Sequence, residues 1–379
     1  MNYIKIFFNL TLTIVSFLIP KSPKYVIVGG WYGKRYADNS KAMYEYLNQY
    51  KEKIGLKRIF WYTNDKNIYR QLKTAGQDVL IGITPKSIFY HLRSKTHIID
   101  QNPHDILGFL SVRCNRINLW HGFPLKKIGN LITGNSKKYS FVDKISSGGC
   151  WLDQYVLATS ELCRDLLSEA MGIRKENCII ASYPRTEILF SAYAKSRSKE
   201  SFSVFYLPTL RGKKERNPLL DADLLAINKA FHNNGITFQM KPHPASIGEW
   251  KSIDNLSNFK ILNACEDVYN ILSNTDLLIT DYSSVHFDYM LTGKALMFFP
   301  YDYTEYVTTD RGFNLPYDQY TPGDKVYTVE EMVAKILEIK NNYREYQKKY
   351  EKNYTFVNEQ VNQYQEIPNY DSIIEILKN

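Results

Sequence analysis

Cysteine is scarce in this chain, and its pattern excludes two classes of protein. The 379 residues hold five cysteines, Cys114, Cys150, Cys163, Cys178 and Cys265. They are odd in number, widely spaced and free of any C-x-x-C pair, so neither a disulfide framework nor a zinc site is indicated. A reducing compartment, the cytoplasm, fits best. Cys178 lies in an apolar run and reads as a small core residue. Other signatures are also missing: no P-loop, no G-x-G-x-x-G, no G-x-S-x-G elbow and no evident pair of carboxylates for a metal. The expectation is that no cofactor is required, with divalent-metal dependence left to experiment. There is no internal repeat and no low-complexity tract.

Long apolar runs are lacking too. Tyr3 to Ile19 is strongly apolar but falls short of the ~20 residues a membrane span needs, and Pro20 ends it. Lys5, Asn9, Thr13 and Ser16 recur at helical spacing as a polar stripe. Ile4, Phe7, Phe8, Thr11, Val15 and Leu18 form the opposite face, and Lys21 and Lys24 follow. The pattern reads as an interfacial helix on the inner leaflet of a membrane. A first helix packed on the protein's own core is the bland alternative. No small-residue cleavage site follows, which argues against a secretory signal.

What is present is ordinary globular composition: 44% hydrophobic and 23% charged residues, with a net charge of +9. The length favours two domains. The positive charge points to an anionic partner, with nucleic acid, acidic lipid and phosphorylated substrates all admissible. For the surface lysines, codon bias alone is the plain alternative and carries substantial weight.

Strand-like runs alternate with helical ones. Strands are expected at Lys24–Gly30, Arg58–Thr63, Asp78–Ile83, Thr96–Ile99, Ile117–Trp120, Tyr155–Thr159 and Asn177–Ala181. Helices are expected at Asn39–Lys53 and Asn67–Ala75. Tyr193 to Ser201 is polar and aperiodic and reads as a linker. A second set follows, with strands at Ser203–Leu207, Thr237–Met240, Leu277–Thr280 and Leu296–Phe299. Its helices are expected at Leu219–Asn233, Val268–Ser273 and Ser284–Leu291. Val329 to Asn353 reads as one basic amphipathic helix or a pair. The fold class is therefore α/β: two doubly wound, Rossmann-like domains with mostly parallel sheets, facing a central cleft at their strand ends. The expected boundaries are 1–22 for the apolar helix, 23–195 and 202–360 for the domains, and 361–379 for a tail or helix.

Four short elements follow predicted strands. Thr280-Asp281-Tyr282-Ser283-Ser284 ends a strand and opens a helix, where hydroxyls and unpaired N–H groups suit a phosphate. Trp120-His121-Gly122 places a histidine, a general base near neutral pH, beside a glycine that permits close backbone approach. Lys126 and Lys127 add charge. Pro208-Thr209-Leu210-Arg211 offers a guanidinium for phosphate oxygens. In Lys241-Pro242-His243-Pro244 the prolines stiffen a loop that carries two diphosphate-binding side chains. Each element has a plain structural alternative: a capping motif, a satisfied histidine, surface lysines, a strand-ending loop. Further along, Tyr301-Asp302-Tyr303 and Arg311-Gly312-Phe313 could stack on a base or accept from a ribose hydroxyl.

Together these elements resemble the CDP-glycerol glycerophosphotransferases, bacterial enzymes of teichoic acid and related capsular polymers. Asn118-Leu119-Trp120-His121-Gly122-Phe123-Pro124-Leu125-Lys126-Lys127-Ile128-Gly129 is similar to the family's L-W-H-G-x-P-L-K-K-I-G. Tyr206 to Arg211 resembles Y-x-P-T-x-R, Lys241 to Pro244 resembles K-x-H-P, and Thr280 to Tyr289 resembles T-D-Y-S-S-x-x-F-D-Y. Tyr301-Asp302 and Arg311-Gly312-Phe313 resemble its Y-D and R-G-F elements. The chain departs at Ser182-Tyr183-Pro184-Arg185-Thr186-Glu187, where the family has G-x-P-R-x-D.

The resemblance implies a GT-B-type fold and attack of an acceptor hydroxyl on the phosphorus that bears glycerol, with CMP leaving. It implies His121 and His243 as the catalytic pair. Gly122, Lys126, Arg211, Lys241, Thr280, Asp281, Ser283, Ser284, Asp302 and Arg311 would bind the substrate. The implied partners are CDP-glycerol, a lipid-linked saccharide or polymer acceptor, and the inner face of the cytoplasmic membrane, where the protein would be peripheral; nucleic acid is not among them. The chain lacks the long N-terminal region of some polymerases, so priming and polymerising both stay open. A CDP-ribitol enzyme and a nucleotide-sugar glycosyltransferase are the enzymatic alternatives, and a polyanion-binding module the non-enzymatic one.

Overall fold

The computed structural model describes residues 7, 11, 14–16, 18–111, 113–133, 155–193, 201–209, 211, 217–242, 250, 256–263, 266–309, 312–363 and 369–378. His243, Arg311, Cys150, Cys265 and most of the polar run Tyr193–Ser201 lie outside them. The chain divides into two compact units. One holds Met1–His121, Gly129–Arg185 and Ile367–Asn379, and the other Gly122–Ile128 and Thr186–Glu366. The division therefore falls at Arg185/Thr186, ahead of the polar run, and the last residues return to the first unit.

The first unit is built on seven strands: β1 (Ser22–Val28), β2 (Arg58–Thr63), β3 (Val79–Ile81), β4 (Ser94–Ile99), β5 (Asn115–Asn118), β6 (Tyr155–Ala158) and β7 (Cys178–Ile180). Their spatial order is β3-β2-β1-β4-β5-β6-β7. Every pair is parallel. Because side chains alternate across a strand, consecutive residues feed opposite faces. Val26, Val28, Ile59 and Trp61 join one apolar cluster, while Ile27, Phe60 and Tyr62 join another. Both faces are thus covered, as a parallel sheet requires. The chain moves outward from β1 on one side and from β4 on the other, so β1 and β4 flank the switch point where ligands bind in such sheets.

Helix Asp38–Ile54 follows β1 and ends at Gly55, whose φ of 88° closes it in the left-handed region. Helix Pro85–Arg93 starts with Thr84 as its cap and proline in its first turn. Helix Asp371–Lys378, near the end of the chain, places Ile373 and Leu377 in the core of this unit, together with Tyr370. The sequence had suggested a tail or a helix there, without saying which unit it joins.

The N-terminal segment differs from its expected face. The described residues 7, 11, 14–16 and 18 are helical. Val15 and Ile19 pack on the unit's own core, and Ser16, expected on the polar stripe, is fully buried. Its hydroxyl accepts from Lys21 Nζ at 3.1 Å, which makes that burial tolerable. Phe7, Ile14 and Leu18 are left outside at 72%, 58% and 79% exposure. Among the described residues no helix is long and apolar enough to cross a membrane.

The second unit has six strands: β8 (Phe202–Tyr206), β9 (Ile236–Met240), β10 (Phe259–Ile261), β11 (Leu277–Thr280), β12 (Ala295–Phe298) and β13 (Asp324–Lys325). Their order is β10-β9-β8-β11-β12-β13, again parallel throughout. The switch point lies between β8 and β11. The basic tail is a pair of helices, Val329–Asn341 and Tyr343–Val361, separated at Asn342. Met332, Ile336, Ile339 and Tyr346 face the core. Tyr343 and Tyr346 donate to the carbonyls of Asp276 and Leu296 at 2.9 and 2.7 Å, tying the second helix of the pair to the sheet.

Candidate active site

At the switch point of the first unit the loops after β1, β4 and β5 meet. Gly29 and Gly30 follow β1. Gly30 is extended, so its need is space: a Cβ there would lie 2.7 Å from Asp100 Oδ2. Asp100 follows β4 directly and is fully buried. Its Oδ1 accepts from Trp31 N at 3.4 Å. Burial first, then Asp38 and Asp105, hold its carboxyl well above the usual carboxylate range. Oδ2 has no hydrogen-bond partner among the described residues.

His121 follows β5. Its Nδ1 lies 3.0 Å from the carbonyl oxygen of Asp100. A carbonyl only accepts, so Nδ1 carries the proton and Nε2 the lone pair. Burial lowers the imidazole below its ordinary value, against the upward pull of the Asp100 carbonyl and of Asp38. The ring is therefore neutral at pH 7 with a basic nitrogen, the form a general base requires.

The main chain around it is strained. Trp120, Trp31, Tyr32 and Asp38 have φ of 55°, 49°, 58° and 68°, a region that costs a non-glycine residue on the order of 1–2 kcal/mol. Specific bonds hold it there. Asn39 donates to the Trp120 carbonyl at 2.8 Å, and its oxygen accepts from Arg185 N at 3.2 Å. Asn118 accepts from Trp120 N at 2.9 Å. The Trp120 and His121 rings lie 4.0 Å apart. Asp38 pairs with Arg185 at 2.6 Å, with 11% and 6% of their side chains exposed, and accepts from Trp31 Nε1 at 3.1 Å. Strain clustered beside a titratable side chain is the pattern of a functional site.

In the second unit Arg211 brings together two other candidates, Asp281 and Asp302. Its Nη1 lies 2.8 Å from Asp281 Oδ2. Nε and Nη2 donate to the two oxygens of Asp302 at 2.5 and 2.9 Å. The guanidinium sits over the rings of Tyr282, Tyr301 and Tyr306 at 4.8, 5.1 and 5.2 Å. Burial pushes the Asp302 carboxyl up, but Arg211 overrides it and leaves the group below the usual range. Asp302 also accepts from Tyr282 Oη at 2.8 Å. Asp281 is fully buried and accepts from Thr209 N at 2.9 Å and Tyr282 N at 2.6 Å. Thr280 donates its hydroxyl to the Leu207 carbonyl at 2.7 Å. Sequence reasoning offered Arg211, Asp281, Asp302 and Thr280 to the substrate. Here they bind one another and the loops after β8 and β11.

Gly122 begins the segment of the motif that belongs to the second unit, with φ of 144°. That segment is stitched to the loop 312–314. Lys127 N donates to Gly312 O at 3.1 Å, Asn314 N to Leu125 O at 2.8 Å, and Lys126 forms a bridge with Phe313. Lys126 Nζ donates to Tyr306 Oη at 3.0 Å, and Tyr306 stacks on Tyr282 at 3.8 Å. Lys241 Nζ donates to the carbonyl of Glu266 at 2.6 Å. Ser283 and Ser284 are part-exposed. Ser284 precedes helix Val285–Met290 without a side-chain cap bond. His286 bridges the carbonyls of Ser283 and Tyr320 at 2.7 and 3.0 Å. Among the described residues no group of three or more His, Cys, Asp or Glu side chains could hold a metal ion.

Sequence reasoning missed Asp38, Asn39, Asp100 and Asp105, and gave Arg185 no role. One signal was available: Asp100 follows the predicted strand Thr96–Ile99 directly, the position that made Asp281 stand out.

A teichoic acid poly(ribitol-phosphate) polymerase of Bacillus spizizenii is 27% identical over 68% of this chain and 44% of its own length. A teichoic acid poly(glycerol phosphate) polymerase of Bacillus subtilis is 26% identical over 85% of the chain and 44% of its own. The chain thus spans less than half of either. A Staphylococcus aureus teichoic acid glycerol-phosphate transferase is 25% identical, matching 83% of this chain and 84% of its own. The wall teichoic acid polymerase TagF superposes with a TM-score of 0.75 at 17% identity, covering 98% of this chain and 93% of that one. A Neisseria meningitidis UDP-GlcNAc 2-epimerase superposes at 0.53 with 12% identity. The fold is GT-B-type. The family model described as CDP-Glycerol:Poly(glycerophosphate) glycerophosphotransferase matches residues 11–378, and the chain belongs to that family.

Proposed function

We propose that this protein transfers glycerol phosphate from CDP-glycerol to a hydroxyl of a lipid-linked acceptor or of a growing teichoic-acid-like or capsular polymer. The observation that carries the reading is the neutral His121, with Nδ1 on the Asp100 carbonyl and Nε2 basic, within a chain of this family. Nε2 takes the proton of the acceptor hydroxyl. The freed oxygen forms a bond to the phosphorus that bears glycerol. The bond from that phosphorus to the CMP oxygen breaks, and CMP leaves with the electron pair.

Such transfer needs positioning and charge neutralisation more than covalent help. Lys126, Lys241, Ser283, Ser284 and Gly122 are assigned to the diphosphate, with His243 and Arg311 carried over from the motifs. Arg211, Asp281, Asp302 and Thr280 are assigned to the framework that holds these loops.

A ribitol donor is the second reading, favoured by the likeness to a ribitol-phosphate polymerase. A panel of CDP-glycerol, CDP-ribitol and UDP- and GDP-sugars separates the readings by which donor yields acceptor-dependent nucleotide. Turnover with a nucleotide sugar alone would overturn the phosphotransfer reading.

We assign the protein to the inner face of the membrane; the apolar stripe Phe7, Ile14 and Leu18, which recurs at helical spacing and stays outside the core, supports that reading. Leu18→Glu with Ile14→Glu is expected to lower co-flotation with vesicles containing anionic lipid. Unchanged flotation would remove the stripe from that role.

A further inference from the structure

We propose that Asp105 is a positioning residue for His121, acting through the main chain of residues 100–102. The proposal rests on the reading of His121 as the base. Asp105 is buried in the turn after β4, and its carboxylate collects four main-chain N–H groups. Oδ1 accepts from Tyr32 N at 2.7 Å. Oδ2 accepts from Gln101 N at 2.8 Å, Asn102 N at 3.2 Å and Asp100 N at 3.3 Å. One oxygen therefore holds the loop after β1, and the other the loop after β4.

The residue fixed in this way, Asp100, supplies the carbonyl that accepts the His121 Nδ1 proton. A shift of that carbonyl removes the reason for the Nδ1–H tautomer. The turn is closed by a capping box, in which Asn102 accepts from His104 N at 2.9 Å. All four partners of the Asp105 carboxylate are donors. An amide of the same size would turn its NH₂ group against one set of them. The charged and titratable groups facing this arrangement are Asp38, Asp100 and Arg185, the last paired with Asp38. Asp105 itself is pushed up to about 6, burial outweighing its four N–H bonds, so the clamp is fully charged only above that pH.

The test is ¹⁵N-histidine NMR on the full chain, wild type and Asp105→Asn, with the His121 signals assigned by their loss in His121→Asn. Wild type is expected to show the Nδ1–H tautomer and a midpoint below the ordinary ~6.5. Asp105→Asn is expected to show mixed tautomers and a still lower midpoint, because the upward pull of the Asp100 carbonyl on the imidazole is weakened. Its kcat should fall ~10- to 10²-fold, with KM for the donor within about twofold and the acid limb of the rate profile moving with the NMR midpoint. A folded Asp105→Asn protein with unchanged His121 tautomer and midpoint overturns the proposal. Changed NMR with unchanged kcat keeps the positioning role and overturns His121 as the base. Should Asp105→Asn not fold, Asp105→Glu retains an all-acceptor group and is expected to give a smaller shift of the same sign. An unmoved His121 spectrum in that variant is equally fatal.

Discussion

A histidine can work as a base only when one nitrogen is kept free of its proton, and the Asp100 carbonyl, by taking the Nδ1 proton of His121, leaves Nε2 open for that role. His121→Ala is expected to lose ~10²–10⁴-fold in rate while remaining folded. Because burial lowers the His121 imidazole, the active, unprotonated form is lost only as pH falls below the ordinary ~6.5. The rate should therefore rise with pH and level off before neutrality. Circular dichroism on the variant and a pH–rate profile of the wild type check both points.

Arg211 makes a second test. Its removal strands Asp281 and Asp302, both almost without solvent, and breaking such a pair costs ~3–5 kcal/mol. Arg211→Ala should thus lower the denaturant midpoint sharply. A variant of normal stability that fails only to bind donor would return Arg211 to the diphosphate. The sequence made His121 and Arg211 visible as polar residues after strands. It could not reveal that Arg211 faces carboxylates, because Asp281 and Asp302 lie far along the chain from it and from each other. Asp105 was hidden for a different reason: its partners are main-chain groups, which leave no mark on residue type.

At the scale of elements, the strands are the legible part and the loops after them are not. The alternating or continuous apolar runs of Arg58–Thr63, Leu277–Thr280 and Ser203–Leu207 placed three strands within a residue or so of their observed limits. Phe259–Ile261 and Asp324–Lys325 escaped notice because these short edge strands carry too few apolar residues to form a run. The expected helix from Leu219 is instead a turn at Pro218–Asp221 followed by a helix from Leu224, with Asp223 capping it through Ala226 N.

The loops are defined by contacts between strand ends, and Gly30 shows how tightly. Gly30→Ala drives a methyl group into the Asp100 carboxyl. The overpacking is expected to cost ~1–3 kcal/mol and to displace the carbonyl that orients His121. A lower melting temperature together with reduced turnover is the expected result. Wild-type values for both would mean that the β1 and β4 loops are not packed as described.

At the scale of the molecule, alternation of strands and helices announced two parallel sheets, but not how the chain is shared between them. The WHG motif itself is divided, with His121 in the first unit and Gly122 in the second. The last helix returns to the first unit, which no local pattern could indicate. Deleting residues 369–378 removes Tyr370, Ile373 and Leu377 from that core. Each such side chain is worth ~1.5–3 kcal/mol when fully buried, so the truncated protein should unfold at a distinctly lower denaturant concentration. An unchanged midpoint would show that this helix only decorates the surface.

The central claim is the transfer reaction itself. The most direct measurement is CMP released from CDP-glycerol by the purified protein, with and without lipid-linked acceptors, in wild type and His121→Ala. The account predicts acceptor-dependent CMP from the wild type, a product heavier by glycerol phosphate units, and a folded variant that releases ~10²–10⁴-fold less. No CMP with any competent acceptor, or equal release from the variant, would contradict it.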